Sequence, residues 1–419
     1  MGIQLVKQIN WGLYIMKIHN GSLYWPTTTT PFVPKKVEEK LESYDVIIVG
    51  AGMSGSLTAL ALTEAGLSVA VLDKRDMGTG STSANTGLLQ YSNDIMLHEL
   101  IEQIGEKDAV RFYQLCYDAI ENLEKVANSL SNESDFIRRP SICYASDEKD
   151  IEKIKIEHST LKKYGFPCDY FGPNEMSKNL PFSKSGALVT FDDAELNPLK
   201  FVQGVLEKVE SLGAHLYQYI EVTDVLEEND LFEIRTSDQS FYTKNIVYTT
   251  GYETVPVGNR VGADINRSYV FVSNPIQHFK DWYKQALIWE TKRPYLYVRT
   301  TVEGRLIVGG LDEDKPDAPL SDEIIMERAE RLLKQSKKLF PQYEIEIDYA
   351  YAASFGESID NLPFIGEHPT KKGQYYLLGY GGNGTVYSML GSHILRDLLT
   401  GKRNEDAEIV QLNRQYGIK

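Results

Sequence analysis

Three glycines and one acid sit at spacings that suit a phosphate-bearing ligand. They are Gly50, Gly52 and Gly55 in "VGAGMSGS", and Asp73 at the close of the next apolar run. A pyrophosphate needs backbone N–H groups at short range and the positive end of a helix facing it. Gly50 permits the tight turn, Gly52 removes a Cβ that would block the phosphates, and Gly55 lets the helix lie close on the strand. Asp73 comes roughly twenty residues further on, where a carboxylate accepts both ribose hydroxyls and opposes a 2′-phosphate. Lys74 and Arg75, directly after it, weaken that opposition. The pattern serves NAD and FAD alike, since both carry adenosine diphosphate.

A second glycine-rich stretch, "GYGGNG" (379–384), precedes a helical pattern over Thr385 to Leu399. The orphan N–H groups and positive dipole end of such a helix favour negative charge beside it. A third candidate is the pair Tyr297 and Arg299 in "YLYVRTTVEGRLIVGG". The seven histidines show no metal spacing, so no metal site is expected, and His368 and His393 read as structural.

The elements that must carry these residues follow from hydrophobic periodicity. Residues 45–50 read as a buried parallel strand, 54–66 as a helix ending at Gly66, and 68–73 as a second strand, giving a β-α-β unit. From about 95 to 165 the pattern is helical and charged, and 197–217 and 321–340 read as amphipathic helices. Strands are expected in "YIEVTDVLEE", "LFEIRTSD", "NIVYTTG" and the β-rich stretch up to "YAASFG". Residues 1–43 read as an extended arm with three prolines and a threonine run, docked by Tyr24 and Trp25.

With 419 residues, two domains are expected. The net charge of −15 argues against a nucleic-acid partner, because no basic surplus exists to neutralise phosphates. It mildly favours cationic substrates, amines included. Cys116, Cys143 and Cys168 form no disulfide or zinc pattern and read as buried, reduced thiols. No apolar run is long enough for a membrane span and the start lacks a signal peptide's apolar core, so a cytoplasmic location is expected.

"MGTGSTSANTGLLQ" (77–90), together with the glycine fingerprint, resembles the flavoprotein family of glycine oxidase, sarcosine oxidase and D-amino acid oxidase. "LYWPTTTT" (23–30) is similar to the arm of its gamma-glutamylputrescine oxidase branch, and to the flavin half of oxidoreductases that carry an added Rieske domain. The resemblance spans roughly residues 22–405 and implies FAD, two domains and an α/β fold. The Rossmann-like FAD-binding domain would be discontinuous (44–95, 190–255 and 352–419). A β-rich α+β substrate domain (96–189 and 256–351) would cap the flavin.

The same resemblance assigns roles. Met53 and Ser54 would sit at the pyrophosphate turn, and Asp73 and Lys74 at the adenosine ribose. Ser81 and Thr82 would lie beside the pyrophosphate, and Thr86, Gly87 and Leu88 under the isoalloxazine. Val222 would present its backbone to the adenine, and Gly251, in "YTTGYET", would mark the strand end that closes over the cofactor. The loop Tyr380, Gly381, Gly382, Asn383, Gly384, Thr385 and Val386 would curl round the flavin's pyrimidine end.

Two departures bear on the substrate. Members acting on α-amino acids hold the substrate carboxylate with arginine, but Phe355 falls at that place and Gly382 at a second basic position. Arg299 is the leading stand-in, and Tyr297 falls where substrate is lined. Without a bidentate arginine, a simple α-amino acid is disfavoured. "VGGLDEDKPDAPL" lacks the cysteine of covalent relatives, so noncovalent FAD is expected, and no iron-sulfur ligands are expected either. The reaction implied is oxidation of a C–N bond by hydride transfer to flavin N5. A flavin dehydrogenase acting on C–O bonds, and a flavin subunit passing electrons to a separate partner, stay open, as does the oligomeric state.

Overall fold

The computed structural model describes residues 17–228, 230–253, 263–319, 321–379 and 381–414. The β-α-β unit forms where the apolar runs place it. Tyr44–Val49 and Val69–Asp73 pair in parallel, and the helix Met53–Glu64 connects them. Gly66, with φ +86°, terminates the connection in a conformation that costs a side chain more than it costs glycine.

These strands are the middle of the smaller sheet. Its order is Phe364–Glu367, Gln374–Leu378, Ser240–Tyr248, Tyr44–Val49, Val69–Asp73 and His215–Gln218. Four of these five pairings are parallel, and the one between Phe364–Glu367 and Gln374–Leu378 is antiparallel. The hairpin Asp224–Glu228 and Leu231–Arg235 continues from Ser240–Tyr248. Parallel strands must be covered on both faces, which is why Val46, Ile47 and Ile48 are all buried. The helices Met53–Glu64, Pro198–Ser211 and Gly384–Leu399 share a core with that sheet.

The larger sheet is mainly antiparallel. Its order is His19–Gly21, Ile347–Ser358, Ala263–Ser273, Leu306–Glu313, Tyr297–Thr300, Leu287–Glu290, Ile137–Tyr144, Ala187–Glu195 and Leu88–Leu89, with Cys168–Phe171 also on Ala187–Glu195. The helix Asp322–Leu339 buries Ile325, Ala329 and Leu332 against it. The division points at 189/190 and 351/352 fall inside two of these strands, and each strand runs whole within the larger sheet.

Two expected elements are corrected. The helix expected over 197–217 ends at Ser211, and His215–Gln218 is a strand beside Val69–Asp73. A glycine at φ +98°, Gly213, separates the two. The helical reading of 95–165 missed the strand Ile137–Tyr144. Its "IRRP" start hides the strand signal, because proline cannot donate to a ladder; here Pro140 sits at a bulge between Arg139 and Ser141.

The described part of the arm, from residue 17, lies against the body through Tyr24 and Trp25. His19–Gly21 pairs with Ile347–Ser358, and Trp25 is buried with its indole N–H donating to the Asn85 carbonyl at 2.6 Å.

Candidate active site

Gly50 leaves the first strand at φ +105°, and Gly52 begins the helix as a residue with no side chain to cap it. The first turn of that helix carries no acid, so the positive end of its dipole faces the adjoining space. Gly55 lies against the Gly50 carbonyl so closely that a Cβ would stand 1.9 Å from that oxygen. The Thr82 hydroxyl accepts from the Met53 N–H at 3.0 Å, which ties the segment after Asp73 to the same turn. Asp73 accepts the Ala51 N–H at 2.7 Å and the Arg75 N–H at 2.9 Å.

The last helix begins at Gly384 and mirrors this arrangement. Asn383 precedes it without a side-chain cap, and its first turn has no acid. The Asn383 amide instead donates to the Ser92 carbonyl and to Asn93 Oδ1, both at 2.8 Å. Tyr387 also donates to Asn93 Oδ1 at 2.8 Å. The Ser54 and Ser388 hydroxyls meet at 2.8 Å, and the Asn85 amide donates to the Thr385 hydroxyl at 3.1 Å. The first and last helices are therefore joined side by side.

Between them runs one cavity of about 470 Å³. Gly50, Gly52, Met53, Ser54, Asp73, Lys74, Ser81, Thr82, Thr86, Leu88, Val222, Gly251, Tyr297, Gly381, Gly382, Asn383, Gly384 and Thr385 all line it. Gly55 and Gly87 stand behind its wall, where they act through close backbone fit, and Val386 is buried in the core rather than in the wall. Tyr380 lies outside the described residues. The cradle over the glycine turn, the carboxylate at its far side and two helix starts without an acid fit a dinucleotide.

Arg299 does not reach the cavity, and its assignment as a substrate-carboxylate partner is corrected. It is 2% exposed, and Nη1 donates to the carbonyls of Gly87 at 2.7 Å, Leu196 at 2.8 Å and Thr86 at 3.2 Å. Nε donates to its neighbour's carbonyl, Thr300 O, at 2.8 Å, and lies 3.7 Å from Glu195. Burial pulls its pKa down while Glu195 opposes the shift. The guanidinium braces the strap 85–88 from behind. Alternation alone placed Tyr297 and Arg299 on one face of a strand, but not which of them would reach the ligand.

The end of the cavity beyond the last glycine loop is an aromatic chamber of Trp289, Tyr295, Tyr297 and Phe355. Tyr297 lies flat over Gly309, where a Cβ would stand 2.1 Å from the ring. Burial holds the Tyr297 hydroxyl protonated, with Asp312 adding to the effect. Asp94 lines the chamber and is occupied: it accepts the Gly382 N–H at 3.1 Å and Arg293 Nη1 at 3.2 Å. Trp289, Tyr295, Asp94 and Asp312 were missed from sequence because nothing in their spacing marks them. Asn85 had a local signal: its side chain accepts the Gly87 N–H at 2.7 Å in an Asx turn before glycine.

The three cysteines are buried away from the cavity, and burial pushes their thiols up to about 12, 12 and 11 for Cys116, Cys143 and Cys168. His368 Nδ1 accepts the N–H groups of Thr370 and Lys371, both at 3.1 Å, a turn-holding role. No cluster of three or more potential metal ligands gathers among the described residues, and no described helix is long and apolar enough to cross a membrane.

A parallel sheet with a glycine turn feeding a helix, a second helix start opposite, and a capping antiparallel sheet define a two-sheet dinucleotide-dependent enzyme. A family model described as FAD dependent oxidoreductase matches residues 45–398, and the chain belongs to that family. It is 23% identical over 414 residues to the gamma-glutamylputrescine oxidoreductase of Escherichia coli, covering 92% of this chain and 90% of the relative. It is 24% identical over 392 residues to a Bacillus subtilis protein named for a Rieske 2Fe-2S centre, covering 91% of this chain and 73% of the relative. The crystal structure of glycine oxidase from Geobacillus kaustophilus superposes with a TM-score of 0.75 at 21% identity, over 90% of this chain and 100% of that one. FAD is the cofactor of this family, and the cavity fits it.

Proposed function

We propose that the protein oxidises the C–N bond of an amine or amino-acid-like small molecule, with FAD held noncovalently along the cavity. Bound FAD would supply the acceptor for the substrate's α-hydrogen and its electron pair, so that a neutral amine becomes an imine and water hydrolyses it. The protein's part is to bind, orient and desolvate. Asp73 and the helix start at Gly52 would hold the nucleotide half. The helix start at Gly384 would face the end of the ring system that gains negative charge, contributing up to roughly 2 kcal/mol. Trp289, Tyr295 and Tyr297 would exclude water around the reacting carbon.

One observation carries the substrate reading. Lys74 and Arg75, at the nucleotide end, are the cations of the cavity wall; the aromatic end presents none among its described residues. Phe355 lines that end in place of a carboxylate-binding guanidinium. A chamber of this kind suits an amine without an α-carboxylate, and among its described residues it offers no cationic side chain to a phosphate.

The test is anaerobic mixing of the FAD-loaded protein with a panel of amines, amino acids and polyols. Amines are expected to bleach the visible band of the oxidised flavin. Bleaching by polyols alone would end the amine reading.

A further inference from the structure

Asp312 is a chamber residue with no partner for one of its oxygens. Its Oδ1 is buried and accepts no hydrogen bond. Ser92, 8% exposed and also in the cavity wall, leaves its Oγ unpaired in the same way. Gln90, another residue of that wall, leaves its Nε2 unpaired too. Buried polar atoms in a native fold are ordinarily satisfied, so three unpaired ones on residues of one cavity wall mark the place of a polar ligand.

The backbone is bent to bring Asp312 there. Along Leu306–Glu313, Leu306 and Val308 pack toward the helix Asp322–Leu339, while Gly309 lies under Tyr297 on the cavity side. Strict alternation would send residue 312 to the helix side. A bulge intervenes: the register on Ala263–Ser273 shifts between Arg267 and Tyr269, and Leu311 takes φ +59°. Leu311 therefore joins the helix-side core, Glu313 meets Arg267 and Arg328, and Asp312 turns into the cavity. A branched residue in the left-handed region is strained, and such strain persists where the surrounding structure enforces it.

The charge there is only partly compensated, by the Ser268 hydroxyl and by Arg293. Arg293, the nearest guanidinium, is taken by Asp94 and lies 4.5 Å over the Tyr295 ring. Burial raises the Asp312 carboxyl to about 6, the Ser268 hydroxyl pulls the other way and Asp94 adds to the rise. A carboxylate beside Tyr295 and Tyr297 is a receptor for an ammonium group, by ion pairing and by the aromatic rings.

We infer that Asp312 anchors a second positive charge on the substrate, so that the preferred substrates are diamine-like molecules whose remote ammonium sits on Asp312. The amine that is oxidised must enter neutral to release its hydrogen with an electron pair, so the charge Asp312 receives belongs to another group. This rests on the amine-oxidising reading of the same site.

The test uses the FAD-loaded protein, with diaminobutane and butylamine as probes of equal length. Binding is read from the perturbation of the flavin spectrum or by calorimetry, and reduction from anaerobic bleaching. Diaminobutane is expected to bind at least about tenfold more tightly than butylamine, with the preference shrinking to within about twofold in Asp312→Asn. That the variant folds is read separately, from its retained FAD spectrum and its melting temperature. Equal affinities in the wild-type protein, a comparison that needs no variant, would overturn the inference while leaving amine oxidation intact. So would a D312N variant that weakens both probes equally. If neither amine bleaches the flavin, the oxidation reading fails, and the binding comparison still decides the role of Asp312.

Discussion

Arg299 Nη1 stands 2.7 Å from the Gly87 carbonyl, with the guanidinium buried behind the cavity wall rather than in it. At Gly87 itself, with φ +74°, a Cβ would stand 2.3 Å from the Leu196 carbonyl and 2.6 Å from Arg299 Nη1. Arginine and glycine thus fit as a pair. Replacing Arg299 by lysine keeps the charge but loses the planar fork that serves four carbonyls. R299K is expected to cost about 3 kcal/mol and to weaken FAD retention, measured by melting and by the fraction of flavin released.

Gly55 and Gly66 make a contrasting pair. At Gly55 a methyl group would meet the Gly50 carbonyl at 1.9 Å, whereas at Gly66 nothing lies within 4 Å. Gly55→Ala is expected to abolish FAD retention. Gly66→Ala pays only for its left-handed backbone, about 1 kcal/mol, and keeps the flavin spectrum unchanged. Similar FAD content in the two variants would contradict the assigned cradle.

Gly309→Ala separates the substrate chamber from the cofactor site. The new Cβ would stand 2.1 Å from the Tyr297 ring, which must swing away from the sheet. Amine kcat/KM is expected to fall by about tenfold or more. FAD content and the resting flavin spectrum should stay near wild type.

The pH dependence of cation binding follows from Asp312. Its carboxyl is raised to about 6 by burial, with Asp94 adding and Ser268 and Arg293 opposing. Protonated, it has no charge to offer an ammonium group. Diaminobutane affinity should therefore rise from pH 5 to pH 7, with a midpoint that falls below 6 as the bound cation favours the ionised form. Asp312→Asn should flatten the profile.

Glu313, on the opposite face from Asp312, behaves in the opposite sense. Burial alone would raise its pKa, but Arg267 and Arg328 outweigh that and hold it down to about 2. A depressed carboxylate pKa contributes stability above its unfolded value and loses it as pH falls through the folded one. Glu313→Gln is expected to cost about 2 kcal/mol at neutral pH and progressively less toward pH 2, by denaturant melts across that window.

What could be read from the chain was whatever sits close along it. Gly50, Gly52, Gly55 and Asp73 lie within one β-α-β unit, where each glycine's task is set by its neighbours and the acid ends the second strand. The same holds for "GYGGNG" before its helix, and for Trp25, whose proline-rich setting signals an anchored arm. Such local rules also mislead. "IRRPSICY" carries a proline and two arginines that mask a strand in the middle of the larger sheet, and continuous amphipathicity ran a helix past Ser211 into a strand.

The chamber was decided only by the tertiary structure. Asp94, Trp289, Tyr295 and Asp312 come from segments about two hundred residues apart, and sheet register brings them together. Which way Asp312 points depends on a single extra residue in one strand, and composition and periodicity do not record that bulge. The side on which Arg299 lands likewise depends on carbonyls supplied by Gly87 and Leu196. The nucleotide end is legible because a phosphate is bound by contiguous backbone. The substrate end is not, because side chains from distant strands share one small volume only after the chain has folded.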